Sequence, residues 1–375
     1  MKTLILSILL SLSLIGCTEK KAEPKAAPAA DLSLGKSIAE RTCKGCHGLE
    51  GGGAAPGIPH LAGQRERYLL ASIAEYKDGK RTHAALKDMT ANMSDPEVRS
   101  VVAYYAGLPP VANVAAANIQ LSSPYQEGKA LAVPCAKCHG EDGNSKTPGT
   151  PTLAGQQAHY LVTAIEEYHQ GDRKAAIMGS MLRGSKKLDL EKLGLYYAAQ
   201  TPAQRAAPPV GDPVASEPAT AMCGGCHGAH GVSTDGATPS LAGQDALYLV
   251  NSMKAYKKSR QNWGMQRYIA GLSDKDIENI AAFYSVQKSA PSDVVPSTVK
   301  ELVDKCNRCH DADSNPAMVV PKMNGQDRDY LVMSLRAYRD GKRQSSMMHN
   351  MSFAYSNAMI ESIASWYSSQ PADKH

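Results

Sequence analysis

The chain has 375 residues, with 41 basic and 36 acidic side chains for a formal charge of +5, and 43% hydrophobic residues that include only two Trp and two Phe. That length accommodates several domains of ~100 residues each. The near balance of charge argues against a nucleic-acid binder, and no stretch after residue 16 supplies the ~20 consecutive apolar residues of a membrane-spanning helix. So few large aromatics cannot fill several separate cores, so something other than side chains is expected to supply bulk.

The N-terminus reads Met1-Lys-Thr, then an apolar run from Leu4 to Ile15, then Leu14-Ile15-Gly16-Cys17. It resembles the lipobox of a bacterial lipoprotein precursor, although a plain secretory peptide has the same apolar stretch. The resemblance implies that residues 1–16 are removed, that Cys17 becomes the acylated first residue, and that the protein is a membrane-anchored periplasmic lipoprotein. Thr18, rather than Asp, after the cysteine points to the outer over the inner membrane. Residues 17–32 follow as a flexible tether, because Lys, Glu, Ala and Pro dominate them and build no core.

Eight of the nine cysteines fall into four short motifs: Cys43-Lys-Gly-Cys46-His47, Cys135-Ala-Lys-Cys138-His139, Cys223-Gly-Gly-Cys226-His227 and Cys306-Asn-Arg-Cys309-His310. Two thiols separated by two residues reach both vinyl groups of one porphyrin, and the next residue delivers an imidazole to the iron. Thioredoxin-like redox pairs, zinc half-sites and disulfide frameworks also use paired cysteines. Four copies, each followed at once by His, with no other cysteine except Cys17, decide for four covalently bound haem c groups.

The motifs begin at 43, 135, 223 and 306, at intervals of 92, 88 and 83 residues, which is domain length rather than solenoid length. Other landmarks recur with them. One is Pro59-His-Leu61-Ala-Gly-Gln64, repeated from Pro151, from Pro239 and, altered, from Pro321 to Gln326. A Tyr-Leu pair starts at Tyr68, Tyr160, Tyr248 and Tyr330, and an arginine recurs at Arg81, Arg173 and Arg343. Four tandem copies are therefore expected at 33–110, 122–202, 212–288 and 296–371, joined by Pro-, Ala- and Ser-rich linkers. Each copy reads as all-α, since Val98, Val101, Val102, Tyr105 and again Ile277, Ile280, Ala281, Tyr284 follow the helical period. Ser94 to Glu97 and Ser273 to Asp276 are capping-box starts for those helices.

A CxxCH helix, a PxLAGQ loop, a Tyr-Leu helix and a closing Tyr-bearing helix resemble class I cytochrome c, and the LAGQ form resembles the dihaem cytochrome c4 family. The likeness runs over essentially residues 33–370, as if a two-domain cytochrome had been doubled. It implies four small helical domains, each around one haem, with His47, His139, His227 and His310 as proximal ligands. It also implies that the carbonyls of Pro59, Pro151, Pro239 and Pro321 accept from those imidazoles. In the family the sixth ligand is a methionine seven residues before the leucine that opens the last helix. Counting back from Leu188, Leu272 and Tyr355 gives Met181, Met265 and Met348. In the first copy the same count from Met93 meets Leu86, so Met89 is taken as the ligand, with His83 its rival. Met178, Met253, Met333 and Met359 are expected as core filler. His60, His159, His169, His230, His349 and His375 share no common position and are expected at the surface. Arg81, Arg173 and Arg343 are expected either to pair with haem propionates, whose carboxylate geometry a guanidinium matches, or to be ordinary exposed arginines.

The resemblance implies an electron-transfer haemoprotein, not an enzyme. It would relay single electrons between redox proteins such as a quinol-oxidising complex, a terminal oxidase or other cytochromes, with a lipid anchor holding it to the membrane. The competing reading is a haem enzyme, a peroxidase or a dehydrogenase of a small sulfur or nitrogen compound, with the first haem reactive. The anomaly at Leu86 is its support.

Overall fold

A computed structural model describes residues 29–111, 121–205, 210–215, 217–311 and 318–372. The expected signal segment 1–16, the lipidation site Cys17, most of the tether and His375 lie outside the described residues. Among these the chain is all-helical, with one isolated antiparallel bridge, between Arg81 and Arg343, and no strand.

The helices fall into four groups. In the first, α1 (Leu32–Ile38) passes through a π-turn at Ala39–Cys43 into α2 (Lys44–His47), followed by α3 (Glu66–Lys77), α4 (Ala84–Ala91) and α5 (Asp95–Ala106). The second has α6 (Pro124–Ala132), α7 (Ala136–His139), α8 (Ala158–Gln170), α9 (Ala176–Met181) and α10 (Lys187–Ala198). The third has α11 (Glu217–His227), α12 (Ala246–Lys258), α13 (Trp263–Ile269) and α14 (Asp274–Val286). The fourth has α15 (Val299–His310), α16 (Arg328–Arg339), α17 (Ser346–Ser352) and α18 (Asn357–Ser369).

Local chemistry explains the boundaries. Ser94 with Glu97 and Ser273 with Asp276 form the capping boxes of α5 and α14, and Ser123 with Gln126 and Thr298 with Glu301 do the same for α6 and α15. The apolar stripe read from the period, Val98, Val101, Val102 and Tyr105 on α5 and Ile277, Ile280, Ala281 and Tyr284 on α14, is buried throughout. In the first two units the opening helix crosses the closing helix through a glycine. A Cβ on Gly35 would overlap the Ser100 carbonyl, and one on Gly128 the Lys192 carbonyl.

The units pair out of chain order, first with fourth and second with third. In the outer pair His60 N donates to Gln326 Oε1 (2.7 Å) and Gln326 Nε2 to His60 O (3.0 Å), while Lys322 N donates to Gln64 Oε1 (2.8 Å) and Gln64 Nε2 to Lys322 O (2.9 Å). The inner pair repeats this with Thr152 and Gln244 (2.8 and 2.9 Å) and with Ser240 and Gln156 (2.8 and 2.8 Å). Asp327 and Asp245 tighten each junction by accepting from Gly57 N and Gly149 N (both 2.8 Å) while capping α16 and α12. A simple doubling of a two-domain protein would instead have joined sequence neighbours.

Described residues of the second and third joins are built into this arrangement. Arg205 bonds Asp245 (3.1 Å), Ser145 O (2.7 Å) and Thr152 Oγ1 (3.0 Å), so the second join clamps both inner units. Ser292 Oγ donates to Ala198 O (2.7 Å) and Val294 packs on the second unit's core, so the join between the third and fourth units lies against the second. The two pairs meet where Tyr125 and Leu195 of the second unit pack against Ala358 of the fourth.

Candidate haem sites

Each CxxCH motif occupies the end of a helix that packs into its unit's core. Cys43, Cys135, Cys223 and Cys306 are half-buried against the four hydrophobic clusters, whereas Cys46, Cys138 and Cys226 are exposed and Cys309 is half-buried. None of the eight is in a disulfide. Burial raises the thiol pKa of the first cysteine in every motif, to about 11 at Cys306.

The four motif histidines share one second partner. Nδ1 of His47, His139, His227 and His310 lies 3.1, 3.0, 2.8 and 3.2 Å from the carbonyl oxygens of Pro59, Pro151, Pro239 and Pro321. A carbonyl only accepts, so Nδ1 carries the proton and Nε2 keeps its lone pair. Burial lowers the pKa of all four imidazoles, against the opposing pull of the proline carbonyl, and favours the neutral ring. A neutral imidazole aimed by a second-shell acceptor is a metal ligand's arrangement. Thiols beside it that form no disulfide, with a single oriented nitrogen, fit a covalently attached haem iron. Among the described residues no cluster of three or more His, Cys, Asp and Glu is arranged to hold a bare metal ion.

The short helix before the last in each unit carries the candidate methionines, and its register revises the sequence count. His83, Asn262 and Ser345 cap α4, α13 and α17 through the backbone N–H of Leu86, Met265 and Met348, and Ala175 occupies the capping position of α9. Three residues past each cap therefore stand Leu86, Met178, Met265 and Met348. Four residues further on is a buried side chain in every case: Thr90, Leu182, Ile269 and Ser352. Met178, Met265 and Met348 pack against their unit cores, while Met181 is 48% exposed. Met178 thus holds in the second unit the place that Met265 and Met348 hold in theirs. The count from Leu188 gave Met181 because Leu188 lies inside α10, whereas Leu272 and Tyr355 lie just before the caps of α14 and α18. Met89, 40% exposed, sits where Met181 sits, and His83 is committed as a cap with Nδ1 accepting from Leu86 N (3.2 Å).

The recurring arginines are buried at the pair junctions. Arg81 and Arg173 bridge Glu75 and Glu167 (both 2.7 Å) and lie against Tyr68 and Tyr76, and Tyr160 and Tyr168, respectively. Arg343, 8% exposed, has Ala337 where the others have glutamate. It donates to Tyr68 of the first unit (3.1 Å), while its Nε has no hydrogen-bond partner. Burial disfavours the Tyr68 phenolate, but the Arg343 and Arg81 guanidiniums outweigh it and bring the phenol down to about 8. A buried guanidinium with an unpartnered Nε–H can donate to a carboxylate.

Of the remaining histidines, His60 Nδ1 accepts from Gly53 N (2.9 Å) and His349 Nδ1 bonds Tyr338 O (2.8 Å); both are local structural contacts. Sequence reasoning assigned no role to Gln64, Gln156, Gln244 and Gln326, although their recurrence in the LAGQ loop was the available signal. Glu191, which reaches α18 of the fourth unit, left no signal.

Comparison with known proteins agrees with this chemistry. The cytochrome c family profile matches residues 32–108 and 125–192, and that of the cbb3-type cytochrome c oxidase subunit III matches 217–283. Cytochrome c4 of Pseudomonas aeruginosa is 35% identical over 205 residues, which is 52% of this chain and 98% of that protein. A thiosulfate dehydrogenase electron acceptor of Thiomonas intermedia is 31% identical over 150 residues, 37% of this chain and 68% of that protein. The crystal structure of reduced recombinant cytochrome c4 from Pseudomonas stutzeri aligns with a TM-score of 0.41 and 27% identity, over 44% of this chain and all of the other. The CxxCH motifs therefore mark covalently bound haem c, and this electron-transfer haemoprotein belongs to the cytochrome c4 family of class I c-type cytochromes.

Proposed function

We propose that all four units, with the boundaries 33–110, 122–202, 212–288 and 296–371, are cytochrome c domains, and that the chain relays single electrons between redox partners in the periplasm. The observation that carries this is the fourfold repetition of one donor set: a motif histidine held by a proline carbonyl, with a methionine at one helix position in three units. Haem c held there supplies reversible one-electron chemistry, and a His/Met pair leaves no open coordination position. Cys43, Cys46, Cys135, Cys138, Cys223, Cys226, Cys306 and Cys309 fix the groups covalently. His47, His139, His227 and His310 would offer Nε2 to the iron, and Met178, Met265 and Met348 would offer a sulfur donor from the short helix of their units. In the second unit Met178 takes the place of Met181; in the first unit Leu86 holds the matching position, so Met89, although at the register of Met181, is kept as the ligand, with His83 its rival. Cys17 anchors the chain by a lipid, with the outer membrane favoured. Donors and acceptors are redox proteins, and a relative named as an electron acceptor of thiosulfate dehydrogenase makes a sulfur-oxidising enzyme a candidate donor.

Leu86, at the position where the other units carry methionine, favours a second reading in which the first haem is a reactive site. Redox titration of the native holoprotein with carbon monoxide as probe separates the two. A carrier gives four one-electron steps and no carbon monoxide complex; a complex at the first haem of the wild type supports the enzyme reading.

A further inference from the structure

The pair junction and the proximal histidine share a peptide unit. The Pro59 carbonyl that accepts from His47 and the His60 N–H that donates to Gln326 belong to one amide. The same holds for Pro321 and Lys322, between His310 and Gln64, and for Pro151 and Thr152, between His139 and Gln244. Pro239 and Ser240 complete the set, between His227 and Gln156. In every unit a hydrogen-bonded chain therefore runs from imidazole through one peptide to a glutamine of the paired unit.

The four glutamines are buried, at 6, 7, 6 and 6% exposure for Gln64, Gln156, Gln244 and Gln326. Each is held in a single orientation. Its Oε1 also accepts the backbone N–H of the next residue, Arg65, Gln157, Asp245 or Asp327, at 2.8 to 3.0 Å, while Nε2 donates across the junction. This exceeds what gluing two surfaces together requires, because each contact lands on the one peptide that orients the partner's imidazole.

We infer that Gln64, Gln156, Gln244 and Gln326 are positioning residues that tune the haem of the paired unit rather than their own, so that each potential depends on the junction being closed. The inference rests on the reading that the motif histidines ligate haem. An amide whose N–H is donated is polarised, and its carbonyl becomes a better acceptor. The stronger bond from Nδ1–H makes the imidazole more basic and favours the oxidised iron. Loss of the glutamine acceptor therefore raises the potential of the partner haem.

The test uses full-length holoprotein. Gln244→Leu removes the acceptor for Thr152 N–H and should raise the potential of the haem on His139, leaving the haem on His227 in Gln244's own unit in place. The expected change is about threefold in the oxidised-to-reduced ratio at fixed solution potential, which is about 28 mV at 59 mV per decade. Gln156→Leu should move the haem on His227 and spare that on His139. Axial-methionine resonances, assigned through single methionine variants, report the two haems separately. Gln244→Glu is the second variant: it keeps the acceptor and loses the Nε2 donor, so the haem on His139 must stay at or below its wild-type potential. Equal shifts at both haems, no shift, or a rise in the glutamate variant overturns the inference. A protein that retains four haems and its methionine signals yet shows no shift refutes the tuning role and leaves the carrier reading standing, whereas missing haems or methionine signals in the wild type refute that reading.

Discussion

The contact between the two pairs makes a prediction that does not depend on haem. Helix α18 begins at Ser356 but has no acidic residue in its first turn, where α5 and α14 have Glu97 and Asp276 at the third position. Met359 stands there instead, and the carboxylate comes from another unit. Glu191 on α10, 6% exposed, accepts from Ala358 N (3.0 Å) and Asn357 Nδ2 (2.8 Å). Glu191→Ala removes two hydrogen bonds to a charged group, together with a favourable charge at a helix N-terminus, and leaves a buried N–H unpaired. A hydrogen bond to a charge contributes roughly 1.5–3 kcal/mol and the helix-end charge roughly 0.3–1 kcal/mol. Because these effects overlap, the expected loss is about 3 kcal/mol, which at 1.4 kcal/mol per decade is about a hundredfold in the local opening equilibrium. Hydrogen exchange read by mass spectrometry over residues 353–365 measures that opening directly. Glu191→Gln keeps one acceptor and should lose about 1 kcal/mol. Exchange in this segment within twofold of wild type after Glu191→Ala would refute the cap in trans, as would acceleration spread evenly over all four units.

Four other outcomes follow. Met178→Ala should open one iron of four and create carbon monoxide binding and a high-spin signal, whereas Met181→Ala should leave the spectrum unchanged; the reverse result would restore the sequence count. In the first unit Met89→Ala should open that iron, and if His83→Ala does so instead, that haem is bis-histidine and has the lowest potential of the four. Gly128→Ala places a methyl group against the Lys192 carbonyl and the Tyr196 Cβ at the crossing of α6 and α10. It should destabilise the second unit by about 1–3 kcal/mol in urea unfolding, despite alanine's better helix propensity. Cys17→Ser should release the protein from membranes in cell fractionation, and intact mass of the native protein should show four haems and a lipid; retention on the membrane would disprove the anchor.

The haem motifs were legible in the sequence because their geometry is local. Two thiols and an imidazole within five residues lie on about one helical turn, and Pro59, eleven or twelve residues from the ligand like its counterparts, closes a short loop. The helices at Val98 and Ile277 were legible for the same reason, since the helical period and the capping box are set by neighbours three and four residues apart. The methionine register needed the fold. The caps of the short helix and of the last helix are equally spaced in all four units, at 83 and 94, 175 and 186, 262 and 273, and 345 and 356, but Leu188 lies inside α10 rather than before its cap, so the cap positions and the buried residue four places later place Met178 beside Met265 and Met348. The pairing of units was set still farther from local rules. Gln64 meets Lys322 across 258 residues and Gly57 meets Asp327 across 270. Four similar units offer several ways to pair, and motif spacing is silent about which surfaces match. The tertiary structure decides the pairing through side chains that differ between repeats: Asp245 and Asp327 accepting across the junctions, Arg205 clamping the inner pair, and Glu191 supplying the first turn of α18 with the carboxylate it lacks.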